Sequence, residues 1–226
     1  MHNKNLDSFL QLPVFMGLTP DSVLRIFEKN QITFNTYHMG DVIAEKGRPI
    51  EHLKCFLSGE VVLDLPINEN LRISQQVTAP FILCPNYYFG FNRSYPYDVL
   101  AFETTGGFDI NRKQLYKLSK QNEIIFMNLI NQISNAYQQT ALIHDLTFNR
   151  CESHRFSIWV LSNTHPKGQD INVSGSLDEL AKYLKTNTEK LSQELYPLQR
   201  NGIISMNQGE LYCPNRKLLL DYLLEH

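Results

Sequence analysis

Cysteine is scarce in this 226-residue chain: Cys55, Cys84, Cys151 and Cys213 are scattered and form no C-x-x-C pair. Such spacing argues against a zinc site or a disulfide framework and favours a reducing compartment. Long apolar runs are missing too. No window approaches the roughly 18 uncharged apolar residues that a membrane-spanning helix needs. The opening Met1-His2-Asn3-Lys4-Asn5 lacks the apolar stretch of a secretory signal. The expectation is a cytoplasmic protein with no membrane partner. Excess charge of one sign is absent as well, the net being -2, with nine Lys/Arg against nine Asp/Glu from Arg150 onward. Any nucleic-acid binding must therefore come from a local arrangement of cations. There is no His-x-His cluster for a cupin-type metal, no Ser-His-Asp signature and no Gly-rich phosphate loop, so an enzyme is not expected.

What is present suits an ordinary globular chain, 42% apolar and 19% charged, long enough for one large or two small domains. Leu6, Phe9 and Leu10 recur at helical spacing. Thr19-Pro20-Asp21 restarts a helix with Val23, Leu24 and Phe27 on one face. From Ile32 to about Ile110 the texture turns to short β-like runs: 32–34, 41–44, 53–57, 60–65, 71–77, 81–83 and 99–102. Short strands at this spacing indicate an all-β barrel or roll.

Between Asn111 and Phe148 no glycine or proline occurs, and a long helix is expected. Phe126, Leu129, Ile133, Ala136, Thr140 and Ile143 alternate steps of three and four residues along it, the pattern of a coiled-coil seam. Ile125, Ile130, Tyr137, Ala141 and His144 widen that surface. One stripe would pack on the roll and the other on a partner chain; the alternative is a helix buried within its own chain.

In the last third, Ser176-Leu177-Asp178-Glu179 has the form of a capping box opening a helix with Leu177, Leu180, Ala181 and Leu184 inward. Thr186-Asn187-Thr188-Glu189 repeats the form, with Thr186 as the expected cap of a second helix that buries Leu191, Leu195 and Leu198. Lys185 lies in the short turn between them. Two helices so close in sequence make a helix-turn-helix. Asn187, Thr188, Glu189, Ser192, Gln193 and Tyr196 remain outside, types that read base edges. Lys182, Lys185, Lys190 and Arg200 flank them as candidate phosphate contacts. Pro197 either kinks this helix or marks its last turn. The Asn207-Gln208-Gly209 turn would form a wing.

The whole pattern resembles the CRP/FNR family of bacterial regulators. The glycines of His38-Met39-Gly40-Asp41-Val42-Ile43, Glu45-Lys46-Gly47 and Phe56-Leu57-Ser58-Gly59-Glu60-Val61 carry the likeness in the roll. Leu177 to Ile204 carries it in the DNA-reading segment. The resemblance implies an α+β chain in three parts: a double-stranded β-roll sensor of the cyclic-nucleotide-binding type with N-terminal helices (1–112), a long dimerisation helix (113–148) and a winged helix-turn-helix (149–226). It further implies a homodimer on double-stranded DNA with an inverted-repeat operator, working with RNA polymerase.

The family's cyclic-nucleotide site is degenerate in this sequence. Leu83 and Cys84 stand where that site has Gly-Glu, and Ser94-Tyr95-Pro96-Tyr97 where it has Arg-Ser; Arg93-Ser94 would fit only with a register shift. Without a charge-assisted partner for its phosphate, cyclic AMP is not expected. Tyr87, Tyr88, Phe89, Phe91, Tyr95 and Tyr97 either line a pocket for a flat or apolar effector or fill an aromatic core. The cysteine-rich run of iron–sulfur members is absent. Haem would need an axial ligand such as His38, His52 or Met39. No cofactor is assigned.

Overall fold

A computed structural model describes residues 3–30, 32–145, 151–207 and 210–225. Side chains of residues 3–5, 29, 30 and 142–145 lie outside that description, as do Phe148 and the Gln208-Gly209 tip of the expected wing. The chain divides into two compact units, residues 1–61 with 78–138, and residues 62–77 with 139–226. Among the described residues no helix is long and apolar enough to cross a membrane.

The first unit opens with helices α1 (Asn3–Leu10) and α2 (Pro20–Asn30), the second starting at its proline, where the missing N–H costs nothing. A four-stranded antiparallel sheet follows, in the order β1 (Thr33–Tyr37), β8 (Thr105–Asn111), β3 (His52–Ser58), β6 (Phe81–Ile82). Beside it β2 (Val42–Ala44) pairs with β7 (Asp98–Ala101). Side chains alternate across β3 because successive Cβ atoms point to opposite faces. Leu53 and Cys55 are buried on one face, where Cys55 stands opposite Phe108. Phe108 in turn packs on Phe9, Phe15 and Phe27 at centroid distances of 5.2, 6.2 and 5.5 Å. Lys54 and Phe56 take the opposite face, Phe56 stacking on Phe81 at 4.9 Å.

The expected long helix is two helices. α3 (Arg112–Gln121) has a full capping box at Asn111 and Gln114, and α4 runs from Glu123 to Asp145. Asn122 separates them because it leaves helical geometry (φ -146°) and its side-chain oxygen accepts from the N–H of Ile124. Absence of glycine and proline therefore did not guarantee continuity: asparagine breaks a helix by offering its own carbonyl to the backbone. On α4, Ile125 and Leu129 are buried, and Asn128 donates to the Val14 and Met16 carbonyls.

The second unit is built around α5 (Glu152–Ser162), whose residues are buried almost throughout, including Phe156, Ile158, Trp159, Val160 and Leu161. Around it pack α6 (Leu177–Tyr183), α7 (Thr188–Arg200) and α8 (Arg216–Glu225). The sheet of this unit runs β10 (Ser205–Asn207), β11 (Glu210–Asn215), β9 (Gln169–Ser174), β5 (Arg72–Thr78), β4 (Glu60–Pro66). Strands β4 and β5 thus contribute their 62–77 hairpin to this unit's sheet. Arg72, Ile73 and Ser74 pair with Ser174, Val173 and Asn172, and Leu71 and Ile73, each 1% exposed, enter the same apolar cluster as α5 and α7. Gly175, at φ +144°, permits the approach: a Cβ there would lie 2.5 Å from the Asn70 carbonyl oxygen.

Buried Gln75 closes this junction, its Oε1 accepting from the His165 N–H at 2.8 Å. The His165 ring is itself held neutral. Burial pushes its pKa down to about 4, with Lys167 and Arg216 adding to the shift, and Nδ1 accepts from the Lys167 N–H at 3.1 Å. An unfolded histidine takes its proton near pH 6.5, so the unfolded state binds more protons between that pH and about 4. Stability from His165 is complete above about pH 6.5 and is lost as pH falls towards 4. Urea unfolding of His165→Gln should show a flatter stability profile over this window than wild type. Parallel profiles would contradict the assignment.

Candidate nucleic-acid interface and effector cavity

Helices α6 and α7 are joined by a short turn in which Lys185 adopts φ +55°. Ser176 caps α6 as expected, its hydroxyl accepting from the Glu179 N–H. The Glu179 carboxylate pairs with Lys182 at 3.1 Å. For α7 the cap is Asn187 rather than Thr186: its Oδ1 accepts from the Lys190 N–H at 2.7 Å. The reason lies on α5. Glu152, 5% exposed, accepts from the Thr186 hydroxyl at 3.2 Å, so Thr186 faces the core and the next residue assumes the cap.

Glu152 also receives the Lys190 ammonium at 2.6 Å. Burial alone would raise its pKa, but the Lys190 and Thr186 bonds outweigh that and hold the carboxyl below the ordinary range. Ser153, one residue on, bonds the Tyr222 hydroxyl at 3.1 Å and reaches Glu194 of α7 at 3.5 Å. Arg155 donates to the Leu184 carbonyl at the end of α6. The first turn of α5 thus fixes both helices. On the other side of the turn, Thr188 donates to Asp178 of α6 at 2.5 Å.

These bonds sort the outer face of α7. Asn187, Thr188 and Lys190 each have a partner within the chain. Glu189, Ser192, Gln193 and Tyr196 are exposed, and among the described residues their side chains make only a 3.5 Å contact, from Gln193 Nε2 to Glu189 Oε1. Lys185 and Arg200 are exposed and form no ion pair among the described residues. Pro197 lies in the last turn of α7, which runs on to Arg200 with Leu195 and Leu198 fully buried.

On α4 the candidate seam divides. Leu129 turns into its own unit, while Phe126, Ile130, Ile133 and Tyr137 are 40 to 74% exposed. Those four step by four, three and four residues, so the outward stripe passes through Ile130 and Tyr137. Ala136 is half-buried and Thr140 exposed, and the Ile143 side chain lies outside the described residues.

In the first unit, the aromatic segment mostly fills core. Leu83, Cys84, Tyr88 and Tyr95 are buried. Tyr88 donates to the Ile110 carbonyl at 2.9 Å and lies under Arg112. Cys84, strained at φ +47°, bonds the Tyr97 hydroxyl at 3.1 Å, and burial pushes its thiol up to about 12. Tyr87 and Ser94 are half-buried; Phe89 and Arg93 are exposed. Of the expected effector residues, Tyr95 lines a cavity in this unit. That cavity, about 500 Å³, lies against β2, the following loop and β3, with Glu45, Arg48, Glu51, His52 and Lys54 in its wall. Apart from Tyr95, the sequence offered no signal for it, since the other wall residues lie at 42–54, well before the 83–97 segment compared with the family's nucleotide motif.

Neither a protein-family model nor a curated protein matches the sequence. Among solved structures, the catabolite activator protein of Thermus thermophilus superposes with a TM-score of 0.55 at 18% identity, over 94% of this chain and 99% of that one. CLP of Xanthomonas campestris, described as a c-di-GMP-responsive global regulator, gives 0.50 at 16% identity over 86% and 99%.

The Glu152 arrangement makes a stability test. Glu152→Gln should cost about 1.5–3 kcal/mol at neutral pH, as for hydrogen bonds to a charged group. Because the folded pKa is depressed, that contribution is present above about pH 4.5 and vanishes as pH falls through the folded value. The gap between wild type and variant in denaturant titrations should therefore close in acid. A gap that persists unchanged would contradict the pairing.

With both units and the helix pair described, the chain is seen to have the fold of the CRP/FNR regulators.

Proposed function

We propose that the protein is a dimeric, sequence-specific DNA-binding transcription regulator of the CRP/FNR type, working in the cytoplasm, without enzymatic activity. The observation that carries this reading is the outer face of α7. Glu189, Ser192 and Gln193 stand exposed on its first turns, on a helix rigidly seated by α5 and α6. A helix so seated can enter the major groove, Gln193 reading an adenine edge and Glu189 a cytosine amine. Lys185 and Arg200 supply phosphate contacts; Lys190 and Asn187 act first by placing the helix. The resemblance to the family adds RNA polymerase as the partner on the promoter.

Dimerisation follows from the α4 stripe. Phe126, Ile130, Ile133 and Tyr137 repeat as a heptad seam needs, and a second copy of the helix covers them by two-fold symmetry. The operator is then an inverted repeat with half-sites about one helical turn apart.

A second reading has one observation in its favour. The chain carries a net charge of -2, and a protein that kept the fold for ligand binding or assembly would need no cationic surface.

Two experiments test the first reading. Gln193→Ala should cost about 1–3 kcal/mol at the selected operator and relax preference at one base pair per half-site. Unchanged selectivity would remove Gln193 from the groove. Ile133→Asp would place an unpaired charge twice in the seam, so sedimentation should show monomers and operator binding should fall. An intact dimer would exclude this stripe as the interface.

A further inference from the structure

The cavity of the first unit has no assigned ligand, and its chemistry differs from that of a cyclic-nucleotide site. Lys54 projects from β3 to the Phe56 face, with its side chain only 16% exposed. Its ammonium donates to the Tyr37 hydroxyl and to Asp109, both at 3.0 Å. An ammonium has three N–H donors, and the third has no protein partner among the described residues. Tyr95 is 7% exposed, and its hydroxyl likewise bonds no described residue. Both side chains line the same cavity.

We propose that this cavity binds a small zwitterion of the amino-acid type, its carboxylate on Lys54 and Tyr95 and its ammonium on the rim carboxylates Glu45 and Glu51. Two donors, one charged and one neutral, match the two oxygens of a carboxylate. A plain anion suits the site less well. Asp109 beside Lys54 opposes added negative charge, and the cavity wall carries Lys54 and Arg48 against Glu45 and Glu51, with no net attraction for an anion. A molecule with its acid inward and its cation outward meets charges of the right sign at both ends. Glu45 is free to change partner, since its 3.1 Å pair with Arg48 is exposed on both sides and such pairs contribute little. Val42, Ile43 and Pro49 leave an apolar wall for the ligand's side chain.

The inference rests on reading the roll as an effector domain, but its test needs no DNA. The full-length protein is melted with each of the twenty L-amino acids, and separately with succinate and with cyclic AMP, all at about 10 mM; a ligand at a hundred times its Kd adds about 2.7 kcal/mol of stability. At least one amino acid should raise Tm saturably, and calorimetry should show its affinity falling about tenfold or more, at least 1.4 kcal/mol, in Tyr95→Phe and Lys54→Met. Tyr95→Phe removes one oxygen only, so it keeps the test valid if Lys54→Met fails to fold. Glu51→Gln should weaken the amino acid and leave succinate no weaker. Binding of no amino acid, binding of succinate alone, or equal affinity in Tyr95→Phe would overturn the proposal. Operator titration of the same preparation shows separately whether the DNA-binding reading stands.

Discussion

A carboxylate held almost out of water must be paired where it stands, and Glu152 is paired with the helix that would read DNA. Its partners are Thr186 in the turn and Lys190 in the first turn of α7. Three consequences follow from that one set of bonds. Thr186 is drawn inward, Asn187 becomes the cap, and the phase of α7 is set so that Leu191, Leu195 and Leu198 are buried while Glu189, Ser192 and Gln193 are outside. Because Glu152 sits on a helix buried along its length, the surface of α7 inherits the rigidity of the core.

The same unit takes its outer strands from the 62–77 hairpin, whose Leu71 and Ile73 complete the cluster around α5. The hairpin is continuous in chain with the roll at Val61 and Thr78. In the roll, the place of the nucleotide motif is filled by Cys84 and the tyrosines, and the open space lies instead beside Lys54. The wall there carries the largely buried Lys54 ammonium and the Tyr95 phenol.

Much of the fold could be read from the residues because local chemistry and tertiary structure agree. Ser58-Gly59 makes the short link from β3 to β4, and Pro20 opens α2. Ser176 caps α6, and Leu191, Leu195 and Leu198 mark the inner face of α7. What escaped was set by contacts distant in sequence. Asn187 displaced Thr186 as cap because Glu152, 34 residues before Thr186, claims the hydroxyl. Lys190 reads as a phosphate contact until its 2.6 Å partner is known. Leu129 and Ile130 are equally apolar, and only packing in the folded unit decides which one faces outward. The break at Asn122 carries no glycine or proline to mark it, only an asparagine whose side chain bonds the Ile124 N–H. Hairpin 62–77 reads as a roll element, and no local pattern reveals that its edge pairs with β9.

The central claim is that this fold reads DNA sequence through α7. Fluorescence anisotropy at about 150 mM salt, comparing a duplex selected from a random pool with its shuffled counterpart, measures that most directly. A specific regulator should bind the selected duplex about 1,000-fold or more tightly than the shuffled one. Equal affinity for the two, or no binding to either, would contradict the account.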